Sequence, residues 1–89
     1  METREKCTVV YILECSDGTL YTGWTDQLDN RLAAHNCGRG AKYTRSRRPV
    51  CLVYCEEVSD RSAALRREAQ IKRLTRSQKL SLIHEASLE

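Results

Sequence analysis

Val9-Val10-Tyr11 and Tyr21-Thr22-Gly23 stand on either side of Ser16-Asp17-Gly18, and this spacing constrains the chain to open with a β-hairpin. Glycine as the last of three loop residues suits a type I turn closed by a left-handed glycine. A two-residue Asp-Gly loop would slip the pairing by one and turn each side chain to the other face. The three-residue loop sets Cys15 opposite Thr19. Counting outward, Leu13 faces Tyr21 and Tyr11 faces Gly23, so both phenols share one face beside a residue without a side chain. Room for a ligand is expected there.

Past the hairpin, Thr25 or Asp26 can cap a helix from about residue 27 to Asn36, with Gly38 placed to end it in a left-handed conformation. Residues 38–49 contain two glycines, five cations and Pro49, and read as a loop. Val50 to Glu56 reads as a third strand. Ser59 or Asp60 caps a second helix ending near Leu74, and Thr75 opens a third reaching about Ala86. Read from these elements alone, the chain is an α+β or α/β sandwich around a short sheet.

With 89 residues there is material for one domain, 1–89, with a core of about 8–83 and a tail at 87–89 that reads as a vector remnant. No apolar run approaches the roughly 18 residues of a membrane span. Residues 1–6 lack a signal peptide's apolar centre, so no membrane and a cytoplasmic location are expected. Cys7, Cys15, Cys37, Cys51 and Cys55 form an odd set with no Cys-x-x-Cys pair, which favours buried reduced thiols over disulfides or zinc. Charge is lopsided. Residues 39–79 carry twelve Lys or Arg against four acids, whereas the first 38 carry three against six. A basic half suits a polyanionic partner, although a solvated surface of scattered charge has the same composition.

Tyr11, Tyr21, Gly23, Arg31, His35 and Glu68 fall in the order that makes this chain resemble the GIY-YIG nuclease superfamily, in particular its small stand-alone bacterial members, from about Thr8 to about Ile83. Val9 and Val10 replace the first triplet's Gly and Ile, and Thr22 replaces the second triplet's Ile, which leaves the polar groups in place. The resemblance implies a three-stranded antiparallel sheet flanked by helices, in the order β-β-α-β-α-α. It also implies a metal-dependent endonuclease hydrolysing DNA and leaving a 5′-phosphate and a 3′-hydroxyl, structure-specific in repair or recombination. Tyr11, Tyr21, Arg31, His35 and Glu68 would be catalytic, with Glu68 also the metal ligand.

At about 100° per residue, Glu68 falls inside the inward arc that Ala64, Leu65 and Ile71 define on the second helix. A buried carboxylate needs a cation. A metal would serve, and the alternative is an exposed helix edge with Glu68 paired to Lys72. Charge within an apolar arc favours the metal.

Arg31 and His35, four apart, share one face bordering the stripe of Leu28 and Leu32. Arg31 suits a phosphate oxygen, or else a surface pair with Asp26 or Asp29. His35 suits a proton relay or phosphate binding, or else simple solvation. Tyr11 could take the proton of an attacking water if its pKa fell by about three units, which needs about 4 kcal/mol of phenolate stabilisation. Tyr21 would position the water or the scissile phosphate.

One converging carboxylate suits a single hydrated Mg²⁺, or Mn²⁺, rather than a two-metal site. Lys42, Tyr43, Arg45, Arg47 and Arg48, with Gly23 beside the tyrosines, are the expected substrate contacts, Gly38 and Gly40 allowing a phosphate to approach. Nothing in the sequence supplies a second DNA-binding domain. Specificity is therefore expected from DNA structure, a protein partner or self-association, and a noncatalytic nucleic-acid-binding module with the same fold is the alternative.

Overall fold

A computed structural model describes residues 7–87. The hairpin is β1 (Thr8–Glu14) and β2 (Leu20–Thr25), and it pairs in the expected register, with Leu13 opposite Tyr21 and Tyr11 opposite Gly23. The turn chemistry sets this register. Cys15 N–H donates to Thr19 O at 2.8 Å, and Gly18 adopts φ 84°, a left-handed conformation that glycine takes without strain. β3 (Cys51–Val58) pairs antiparallel on the other side of β1, giving the order β2-β1-β3. A bulge at Ile12/Leu13 lets β3 carry one extra residue there.

Five consecutive residues of β1 are buried because both faces of the central strand are covered. Val9, Tyr11, Leu13 and Cys15 pack with Val50, Tyr21, Leu28 and Leu32 beneath α1 (Leu28–Asn36). Val10 and Ile12 pack on the other face against Ala64 and Ile71 of α3 (Arg61–Lys72), with Leu82 and Ile83 of α4 (Arg76–Ser87) beside them. Asp60 caps α3 through Ala63 N–H at 2.8 Å. Thr75 and Gln78 cap α4 reciprocally, each side chain accepting the other's backbone N–H.

Local readings differ from the structure in four places. A short helix, α2 (Lys42–Arg45), interrupts the stretch expected to be loop. Gln27, not Thr25 or Asp26, is the N-cap of α1, and Thr25 Oγ1 instead accepts the Gln27 N–H at 3.0 Å in a turn before the helix. The third strand runs to Val58 because it pairs with β1 as far as Thr8. Of the five cysteines only Cys15 is buried, packed with Tyr11, Leu13 and Val50, and Cys7, Cys37, Cys51 and Cys55 are exposed.

Arg67 of α3 and Glu56 of β3 pair at 2.9 Å, with Tyr54 donating to the same carboxylate and Arg67 Nη1 reaching Gln70 at 3.1 Å. This network ties the helix that carries Glu68 to the sheet. Arg67→Met should lower stability by about 1 kcal/mol, the scale of a charge-assisted hydrogen bond partly screened by solvent. Urea unfolding reads that loss, and an unchanged midpoint would mean the pair does not anchor α3.

Candidate active site

Tyr11 is 1% exposed, and its ring lies across Gly23. A Cβ at Gly23 would sit 2.7 Å from the phenol oxygen and 3.2 Å from Cε2 of Tyr21. The open space expected for a ligand beside Gly23 is therefore filled by the protein's own tyrosine. The glycine lets the Tyr11 hydroxyl pass over β2, to where α1 and α3 both act on it.

His35 projects from α1 into this spot and is 0% exposed. It fills the core rather than bordering it, a correction to the solvated alternative. The last turn of α1 aims it inward while α2 closes over it. Its Nε2 is 3.0 Å from Tyr11 Oη and its Nδ1 is 2.8 Å from Thr44 Oγ1. The Tyr21 ring meets it edge-on at 5.3 Å. Gly40 packs directly on the imidazole, where a Cβ would come within 2.3 Å of Nδ1, so histidine occupies the space anticipated for a phosphate. Gly38, at φ 85°, ends α1 in the left-handed conformation expected of it.

Arg31, one turn before His35, acts on both groups. Burial pushes the Tyr11 phenol above its ordinary pKa, and a hydrogen bond and charge from Arg31 only partly offset that, while Glu68 adds to the rise. The direction is opposite to the lowering expected from sequence, because desolvation of a buried phenol exceeds the pull of one guanidinium. Burial and the Arg31 charge both hold His35 below its usual value, so the imidazole is neutral at neutral pH.

Glu68, on α3, lies near enough for its charge to act on the Tyr11 phenol. Its side chain is 19% exposed, and Lys72 lies 3.4 Å away at i+4, so the ion-pair alternative is realised at a half-buried helix edge. Leu65, taken as part of the inward arc, is 47% exposed, which narrows that arc to the line of Ala64 and Ile71. His35 thus touches the Tyr11 hydroxyl directly, and Arg31, Tyr21 and Glu68 each act on the same phenol.

The basic residues divide differently. Arg47 pairs with Asp17 at 3.1 Å, donates to Tyr43 O at 2.8 Å and lies 4.0 Å over the Tyr43 ring, which stacks on Tyr21 at 5.9 Å. Arg48 donates to Arg45 O at 2.8 Å and lies against Gly38. These two arginines bind the hairpin turn and the end of α1 to the α2 segment, so their charge is partly committed to the fold. Lys42 and Arg45 are exposed and have no ion-pair partner among the described residues. Arg45 also lines an open groove of about 530 Å³ with Asn36, Ser46, Arg48 and Pro49.

Thr44 went unnoticed in the sequence, although it is 0% exposed. Its one advance signal was a small hydroxyl residue among cations nine positions after a histidine.

A hairpin presenting two tyrosines to an arginine and a histidine of the next helix and a glutamate of a later one defines a GIY-YIG nuclease domain. The family model described as the GIY-YIG catalytic domain matches residues 7–81, and the chain belongs to that family. Among its relatives, a UPF0213 protein of Syntrophus aciditrophicus is 63% identical over 75 residues, spanning 83% of this chain and 86% of its own. A UPF0213 protein of Staphylococcus haemolyticus is 55% identical over 85% of this chain and 93% of its own. Two solution NMR structures are similar. One is a UPF0213 protein of Bacillus halodurans, 44% identical with a TM-score of 0.57 over 86% of this chain and 82% of its own. The other is a protein of E. faecalis, 43% identical with a TM-score of 0.64 over 100% of this chain and 94% of its own. Nucleases of the family generally use a divalent metal and bind nucleic acid. No described helix is long and apolar enough to cross a membrane.

Proposed function

We propose that this protein is an endonuclease that hydrolyses DNA phosphodiester bonds by direct attack of water, with specificity drawn from DNA structure, a partner protein or a second copy of itself. The carrying observation is the Tyr11 hydroxyl, set across Gly23 with His35 Nε2 at 3.0 Å and acted on by both Arg31 and Glu68.

A phenol whose pKa is raised holds little phenolate at neutral pH, so Tyr11 acts as a relay rather than as a standing base. As water attacks phosphorus, its proton passes to the Tyr11 oxygen while the phenol's own proton passes to neutral His35 Nε2. Tyr11 is uncharged before and after, and His35 ends as imidazolium. Arg31 binds a nonbridging phosphate oxygen and stabilises the charge that grows there. Tyr21, held against His35 and Tyr43, shapes the seat for the scissile phosphate. Lys42 and Arg45 contact the flanking backbone.

Among the described residues no three His, Cys, Asp or Glu side chains gather at one point, and Glu68 is the carboxylate whose charge acts on Tyr11. That donor set fits Mg²⁺, which keeps several waters and binds through one or two carboxylates plus substrate phosphate, and Glu68 would exchange Lys72 for it. When bound, the ion would neutralise the leaving oxygen. The Glu68–Lys72 pair also favours the second reading, a noncatalytic nucleic-acid-binding module, if Lys72 is never displaced.

The test is Mg²⁺-dependent nicking of labelled branched, flapped and linear DNA by the wild type and by Arg31→Ala. Cutting by the wild type and its loss in Arg31→Ala support the nuclease. Salt-sensitive binding without cutting on any of the substrates establishes the binding module instead.

The relay also fixes the pH profile. His35 must be neutral, and its pKa lies below the ordinary 6.5, so the single-turnover rate should be level in neutral and alkaline solution and fall in acid with a midpoint below 6.5. Tyr11, Tyr21 and Arg31 are the charged or titratable groups facing His35. A rate that instead rises tenfold per pH unit toward 10, the usual phenol value, would mean phenolate is the base.

A further inference from the structure

Thr44 takes no part in the chemistry above, yet its hydroxyl is buried in an otherwise exposed, cationic helix. That hydroxyl has two contacts. It donates to Ala41 O at 3.0 Å and lies 2.8 Å from His35 Nδ1. A threonine hydroxyl carries one proton. With that proton on Ala41 O, the contact to the ring is an Nδ1–H donating to Thr44 Oγ1. A neutral imidazole has only one N–H, so Nε2 keeps its lone pair, and Nε2 is the atom facing the Tyr11 hydroxyl at 3.0 Å. The Ala41 N–H also points at Nδ1, but at 3.5 Å, the outer limit of a hydrogen bond, and the 3.0 Å bond that commits the Thr44 proton to Ala41 O outweighs it.

We propose that Thr44 is a positioning residue that holds His35 in the Nδ1–H tautomer, so that Nε2 stays free to accept the proton of Tyr11. This is the reverse of the tautomer that histidine favours in water, so it needs the acceptor Thr44 supplies. The catalytic consequence rests on the nuclease reading. The tautomer itself is a property of the folded chain and can be read without any turnover.

The experiment is long-range nitrogen–proton NMR of the nitrogen-labelled full chain at neutral pH, on wild type, Thr44→Val and Thr44→Ser, paired with cleavage kinetics at saturating DNA. Wild type and Thr44→Ser should show His35 protonated at Nδ1, whereas Thr44→Val should move the proton wholly or partly to Nε2. With that shift, kcat should fall by up to roughly a hundredfold, the lower end of what a positioned base contributes, while KM stays unchanged and serine restores the rate. Three results overturn the proposal: an Nε2–H tautomer in the wild type, an unmoved tautomer in a folded Thr44→Val, or a moved tautomer with undiminished cutting. If Thr44→Val does not fold, the wild-type and serine spectra still decide the tautomer. A tautomer behaving as expected in a protein that cuts no DNA would support the assignment to Thr44 and reject the nuclease reading alone.

Discussion

Gly40→Ala is expected to destabilise the protein by about 3 kcal/mol, the upper end of the overpacking range, and to abolish any activity that depends on His35. The new Cβ would stand 2.3 Å from His35 Nδ1, 2.6 Å from Cγ and 2.8 Å from the backbone Cα. A side chain can rotate away from a clash, but a backbone atom of α1 cannot, so either the helix or the 38–41 segment must move. Gly40 has no positive φ, and the cost is therefore purely one of contact. Gly18→Ala isolates the opposite case. Its Cβ would meet nothing within 4 Å, but at φ 84° it carries the left-handed penalty of about 1–2 kcal/mol. Urea unfolding of the two variants should place Gly40→Ala well below Gly18→Ala. If Gly40→Ala is the milder of the two, His35 is not seated where the structure has it.

Gly23→Ala should act mainly on function. The three atoms nearest its Cβ all belong to side chains, Tyr11 Oη at 2.7 Å, Tyr11 Cζ at 2.8 Å and Tyr21 Cε2 at 3.2 Å, so the rings are expected to shift and the strands to stay paired. Overpacking of this kind costs about 1–3 kcal/mol. Displacing the phenol by about 1 Å should reduce cleavage at least a hundredfold. A double-mutant cycle separates contact from backbone effects. In a Tyr11→Leu background, which removes the clashing hydroxyl and ring, Gly23→Ala should cost at least about 1 kcal/mol less than in the wild type. Strict additivity would mean that Tyr11 does not cross Gly23.

The hairpin register was legible because turn chemistry and a period of two leave one solution, and Tyr11 opposite Gly23 followed by counting. Asp60 was legible as a cap for the same local reason. What lay hidden depended on contacts distant in sequence. Nothing near His35 signals that Tyr11, Thr44 and Gly40 will enclose it, so a histidine beside an apolar stripe read equally well as solvated. Tyr11's raised pKa depends on how deeply β1 is buried from both faces, which no alternation pattern reports. Arg47 and Arg48 looked like free cations until the fold brought Asp17 and the carbonyls of Tyr43 and Arg45 to them. Leu65 misled because a helix packed on a three-stranded sheet buries a narrower stripe than its apolar residues suggest.

Glu68→Gln gives the most direct measurement, because it removes a charge at the half-buried edge of α3 while keeping the side chain's shape. Single-turnover cleavage at saturating DNA, with Mg²⁺ titrated, should fall by about a thousandfold or more relative to wild type, within the several kcal/mol that a bound cation contributes, while DNA affinity and urea midpoint change little. Undiminished cutting by Glu68→Gln would contradict the convergence of Tyr11, Arg31, His35 and Glu68 on one phosphodiester.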